Sequence, residues 1–174
     1  MPVGVAVIEA PDQAAISGHA RAKNCSVALI IPGSFLGGAE QQFLYLAARL
    51  PQHGFEVSVT CFFDEPLVPL LRQAGMKTYV VRRTGRRTWQ DPQRFLALAR
   101  HLQRLQPGII HTWLFEANVY GTAAALLTGK RDRLVVSERG TALSTDRAGT
   151  HALQTLSCRL ATGVVVNSRA GAEQ

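Results

Sequence analysis

From Ser26 onward the chain alternates short Val- and Ile-rich runs with segments of helical periodicity. The runs are SVALII, FEVSVTCFF, KTYVV, GIIHTW, RLVVSE and GVVVNS. They are continuous rather than strictly alternating in polarity, as expected for strands covered on both faces, so the pattern predicts a parallel sheet with helices on both faces. Between the first two runs, Ala39, Phe43, Leu46, Ala47 and Leu50 recur at helical spacing, with Gly54 placed to close the helix. A second helix is expected after Pro66. A third is expected from Asp91-Pro92, an N-cap followed by a first-turn proline, with Phe95, Leu98, Leu102 and Leu105 on its buried stripe. Further helices are expected near 115–128, where NVYGTAAALL carries small residues suited to close packing, and near 149–161. Six strands with their crossovers make an α/β, Rossmann-like half.

The 174 residues suit one domain, and 47% hydrophobic content is enough for a substantial core. Residues 1–24 show no periodicity and read as a loose tail, leaving 25–174 as the domain. That opening lacks a basic leader region, and its apolar run is broken by Glu9, Pro11 and Asp12, so it does not read as a signal peptide. No apolar run is long enough to cross a bilayer. The net charge of +7 favours anionic partners without choosing among them. Cys25, Cys61 and Cys158 are odd in number and lack C-x-x-C spacing, so neither a disulfide framework nor a metal site is expected, and a reducing cytoplasm fits best.

In open α/β sheets ligands collect outside the carboxyl ends of the strands. Those ends carry Gly37 and Gly38, then Asp64 and Glu65, then His111 to Glu116, Glu138 to Thr141, and Asn167-Ser168. The glycines of PGSFLGGAEQQF admit two readings, an anion site at a helix start or a tight turn with positive φ. Their spacing is not G-x-G-x-x-G, although Asp64 stands where a ribose acid would. No Lys-Ser/Thr pair follows them as in a P-loop, and G-x-S-x-G does not occur. His111, beside Trp113 and Glu116, can hydrogen-bond a substrate hydroxyl or satisfy a neighbouring carbonyl. Glu116 suits catalysis or helix capping. Arg139 in SERGT suits ligand binding or a local ion pair. The run RRTGRRTWQDPQRF gathers Arg82, Arg83, Arg86, Arg87 and Arg94 around Trp89, a solvated surface or a match for anionic lipid head groups.

GGAEQQFLYLA after the first strand, IIHTWLFEANVYG after the fourth, VVSERG after the fifth and VVVNS after the sixth resemble, in this order, the N-terminal domain of family 4 glycosyltransferases over about residues 26–170. The resemblance implies the acceptor-side half of a two-domain, retaining GT-B enzyme with a nucleotide sugar as co-substrate and no other cofactor. It implies that Gly37 and Gly38 lie near the donor diphosphate and that His111 matches a histidine orienting the transferred sugar. Trp113, Glu116, Asn118 and Arg139 become candidates for acceptor contact. The family often carries a second histidine where Trp113 stands here. The family's donor domain, with two glutamates seven residues apart and a basic side chain for the leaving diphosphate, is expected beyond Gln174, so the 174 residues are expected to be inactive alone. The implied acceptor is a glycan or lipid-linked chain in polysaccharide biosynthesis. Arg82, Arg83, Arg86, Arg87 and Trp89 are the candidates for a peripheral contact at the inner face of the plasma membrane. The alternative is a freestanding Rossmann-like module that binds a nucleotide or anion without catalysis. Nucleic-acid binding has charge in its favour but no motif.

Overall fold

The computed structural model describes residues 25–34, 36–64, 66–82, 92–138 and 148–167. Six strands form one sheet: β1 (Ser26–Ile31), β2 (Glu56–Cys61), β3 (Lys77–Val80), β4 (Ile109–Trp113), β5 (Leu134–Glu138) and β6 (Gly163–Val166). Their order is β3-β2-β1-β4-β5-β6, and every neighbouring pair is parallel. The helices between them are α1 (Gly38–Arg49), α2 (Leu67–Gln73), α3 (Pro92–Leu105), α4 (Leu114–Leu127) and α5 (Ala148–Leu160). The expected α/β Rossmann-like sheet is the fold found.

Two apolar layers sandwich the sheet because successive strand side chains point to opposite faces. On one face Val27, Leu29, Ile31, Val57, Val59 and Trp113 meet Phe43 and Ala47 of α1 and Leu67, Val68 and Leu71 of α2. On the other, Ala28, Ile30, Ile110, Leu134 and Val136 meet Leu98 and Leu102 of α3 and Ala117, Tyr120 and Ala124 of α4. The strand β1, central and covered on both sides, is buried from Val27 to Ile31.

The small residues of α4 work as expected. A Cβ on Gly121 would come 2.3 Å from Thr112 Cγ2, so only glycine lets the helix lie this close to β4. The first helix departs from expectation. Its α-helical part stops at Arg49, and a 3-10 turn, Leu50–His53, carries the chain to Gly54 at φ +86. Pro51 has no N–H to give to the carbonyl four residues back, so the α-helical ladder breaks one turn before the glycine. Asp91 and the C-terminal residues from Ser168 lie outside the described residues.

Candidate functional site

The carboxyl end of β1 leads through Pro32 and Gly33 to α1. Gly33 is the residue that takes the left-handed conformation, at φ +76. Gly37, the N-cap of α1, is extended at φ −115 and ψ −168, and a Cβ on Gly38 would meet no atom within 4 Å. The turn reading assigned positive φ to Gly37 and Gly38, and the structure moves that requirement to Gly33. Neither conformation nor packing within the domain demands glycine at position 38. Sequence reading missed Glu40, which is buried and accepts a hydrogen bond from the Gly37 N–H at 3.0 Å. Its carboxylate caps the helix start, and the signal was present in its spacing, three residues after the N-cap.

His111 lies inside β4, paired in register with Val135, because the strand continues to Trp113 opposite Ser137. Its side chain follows Ile109 and Trp113 onto the face that carries α1, and it is half-buried. The imidazole Nε2 stands 2.8 Å from Ser137 Oγ, and the ring lies 5.4 Å from the Trp113 ring. Trp113 is fully buried and meets Phe43 of α1 edge-on at 5.5 Å. A column of rings therefore runs from α1 to the histidine. Directly after it, Leu114 adopts φ +69, a left-handed conformation that costs a branched residue about 1–3 kcal/mol and is held here between strand and helix.

The polar residues that open α4 point inward. Asn118 is fully buried: Oδ1 accepts from Thr112 Oγ1 at 2.8 Å, and Nδ2 donates to Ser137 O at 3.1 Å and to Gln154 Oε1 at 3.3 Å. Gln154 in turn donates to Cys158 Sγ, which lies 3.9 Å from Glu138 Oε2. Burial, helped by Glu138, pushes the Cys158 thiol up to about 11, so it stays protonated near neutrality. Glu116 is three-quarters buried and paired with Arg94 Nη1. Trp113 and Asn118 thus present no side chain to solvent, and Glu116 presents part of one.

Arg94 is the residue whose setting differs most from its expected one. Grouped by sequence with an exposed basic run, it is fully buried, with its guanidinium carbon 4.9 Å from the Phe62 ring centroid, 5.2 Å from Phe63 and 5.7 Å from Tyr120. Arg82 is exposed and paired with Asp64 at 3.0 Å, which also engages the acid placed at a ribose position. Arg83, Arg86, Arg87, Trp89 and Arg139, together with Glu65, lie outside the described residues. Among the described residues no helix is long and apolar enough to cross a membrane.

The profile of Glycosyltransferase Family 4 matches residues 36–174. The chain belongs to glycosyltransferase family 4. Among solved structures, MurG of Acinetobacter baumannii superposes with a TM-score of 0.61 at 21% identity, over 82% of this chain and 41% of that one. Anabaena Alr3699/HepE in complex with UDP gives 0.68 at 18% identity, over 83% and 38%. The same protein with UDP and glucose gives 0.66 at 20%, over 82% and 38%. The chain spans about two fifths of the length of these solved chains, and their likeness establishes the fold. Comparison with curated proteins gave no match.

Proposed function

We propose that this family 4 domain is the acceptor-side half of a retaining GT-B glycosyltransferase that moves a sugar from a nucleotide-sugar donor to a glycan or lipid-linked acceptor. The observation that carries the reading is His111: a half-buried imidazole in a central strand, on the sheet face that also carries α1 and its glycine start. Transfer requires the bond from the anomeric carbon to the diphosphate to break while a bond to an acceptor oxygen forms. The protein's tasks are to hold the leaving diphosphate and to keep the acceptor hydroxyl close. On this reading His111 orients the transferred sugar and the backbone at Gly37 and Gly38 faces the diphosphate. Because the Gly37 N–H is engaged by Glu40, the approach falls to the first-turn amides beginning at Gly38, which a helix leaves without intrahelical partners.

The UDP and glucose bound to HepE support a nucleotide-sugar donor here. Acceptor contact is assigned to Glu116 and Arg139, while Trp113 and Asn118, whose side chains are buried, would act only through their neighbours. The proposed location is the cytoplasmic face of the membrane, through the segment from Arg82 to Trp89. The domain alone is expected not to transfer sugar, since the donor half supplies the remaining diphosphate contacts.

Two measurements test this. In the full-length encoded protein, His111→Ala should lower turnover by about ten- to a thousandfold while thermal melting stays near wild type. Unchanged turnover would remove His111 from the reaction. Robust turnover of nucleotide sugars by purified residues 1–174 would refute the half-enzyme reading and leave a self-sufficient catalyst.

A further inference from the structure

We infer that Ser137 is the positioning residue for His111, fixing the orientation of the imidazole from the adjacent strand. The inference rests on the reading of His111 as the residue that orients the transferred sugar. Ser137 is fully buried, directly after the apolar residues Leu134, Val135 and Val136 of its strand, and its Oγ lies 2.8 Å from His111 Nε2. A hydroxyl can donate to an imine nitrogen or accept from an N–H, so it holds Nε2 in either tautomer and fixes where that nitrogen stands. A hydrophobic residue would fit the layer as well by polarity, and Val135 and Val136 precede it in the same strand. The hydroxyl is the exception that the histidine explains.

Ser137 is itself held. Asn118 Nδ2 donates to its carbonyl at 3.1 Å, and Asn118 is tied in turn to Thr112 in β4 and Gln154 in α5. The backbone of Ser137 is thereby fixed relative to β4, which carries the histidine, and to α5, and the hydroxyl transmits that position to the ring. The Trp113 ring, 5.4 Å away, restrains the same imidazole from its own strand. A hydrogen bond from the neighbouring strand and a ring contact from its own strand thus act on the same imidazole.

The test has a spectroscopic arm and a kinetic arm. Side-chain couplings and imidazole-to-Trp113 NOEs of residues 1–174, recorded by NMR, should report one ring orientation of His111 in the wild type, averaging over rotamers in Ser137→Ala, and a return to one orientation in Ser137→Thr, which keeps the hydroxyl. An unchanged ring orientation in Ser137→Ala overturns the inference whatever the enzyme does, and the alanine variant decides alone if the larger threonine does not fold. In the full-length protein Ser137→Ala should lower kcat about two- to tenfold, the worth of one ordinary hydrogen bond, with little change in KM for the donor. It should have no further effect when His111 is already alanine. A ring orientation that is lost in Ser137→Ala while both single variants keep wild-type turnover upholds the positioning and refutes the catalytic reading of His111. A loss in Ser137→Ala that adds fully to that of His111→Ala overturns the inference.

Discussion

Gly38→Ala separates what the glycine start of α1 does for the fold from what it does for a ligand. The new methyl group would meet no heavy atom within 4 Å, and Gly38 is not among the glycines at positive φ. It is the first residue of α1, where alanine is intrinsically favoured over glycine and the unfolded chain loses freedom. The domain should therefore gain about 0.4–1 kcal/mol. For a chain of this size that is a rise in Tm of about 1–4 °C. A diphosphate approaching the first-turn amides would meet the same methyl group. Losing one charge-assisted hydrogen bond there costs about 1.5–3 kcal/mol, or roughly ten- to a hundredfold in donor affinity or turnover. Calorimetry on residues 1–174 measures the first effect, and donor binding and turnover of the full-length protein measure the second. A variant that melts higher and binds the donor as well as wild type would show that nothing approaches Gly38. A variant that melts several degrees lower would refute the packing argument itself.

The buried Arg94–Glu116 pair makes an asymmetric prediction, because Arg94 is 1% exposed and Glu116 24%. Glu116→Leu, which strands a buried cation, should cost about 3–5 kcal/mol. Arg94→Met, which leaves a carboxylate that water can reach, should cost less, and denaturation midpoints in the reverse order would contradict the burial assigned to the pair. His101 supplies a pH test. Its Nε2 lies 3.1 Å from Thr60 Oγ1, its ring lies against Tyr79 at 4.6 Å, and burial, with Arg104 adding to it, lowers its pKa below the usual 6.5. Between the folded value and 6.5 the unfolded chain binds more protons, so stability should fall as pH drops through that window. His101→Gln should flatten this part of the Tm-against-pH curve, and an identical slope in the variant would assign the dependence to other groups.

The sheet was legible because a parallel strand buried on both faces must be apolar almost throughout, and SVALII meets that demand without reference to anything distant. The same locality made the packing face of α4 readable in its small residues, since Gly121 is required by a contact with the strand that directly precedes the helix. Arg94 was illegible for the opposite reason. Within RRTGRRTWQDPQRF nothing distinguishes it from its neighbours, and what buries it comes from Phe62 and Phe63 after β2 and from Glu116 and Tyr120 on α4. Pro51 was visible, but its effect on the end of α1 was outweighed by the more familiar stop signal at Gly54.

The candidate site shows why residue type at a strand end is weaker information than position. His111, Trp113, Glu116 and Asn118 all fall within eight residues, and each has the chemistry to meet a sugar or an acceptor. Strand alternation sends His111 and Trp113 to the α1 face and Thr112 to the other, while the start of α4 turns Asn118 toward β5 and α5. Glu116 goes to a cation that sequence places on a different element. Burial then separates the roles: a side chain already holding two or three partners in the interior gives geometry to its neighbours, and the half-buried imidazole receives it. Ser137 also gives geometry, through one hydroxyl contact and a carbonyl held by Asn118, although its residue type did not suggest it. One serine within a valine run is unremarkable until the strand beside it places a histidine at 2.8 Å. Cross-strand register, which a single sequence does not encode locally, is what turns that pair into a site.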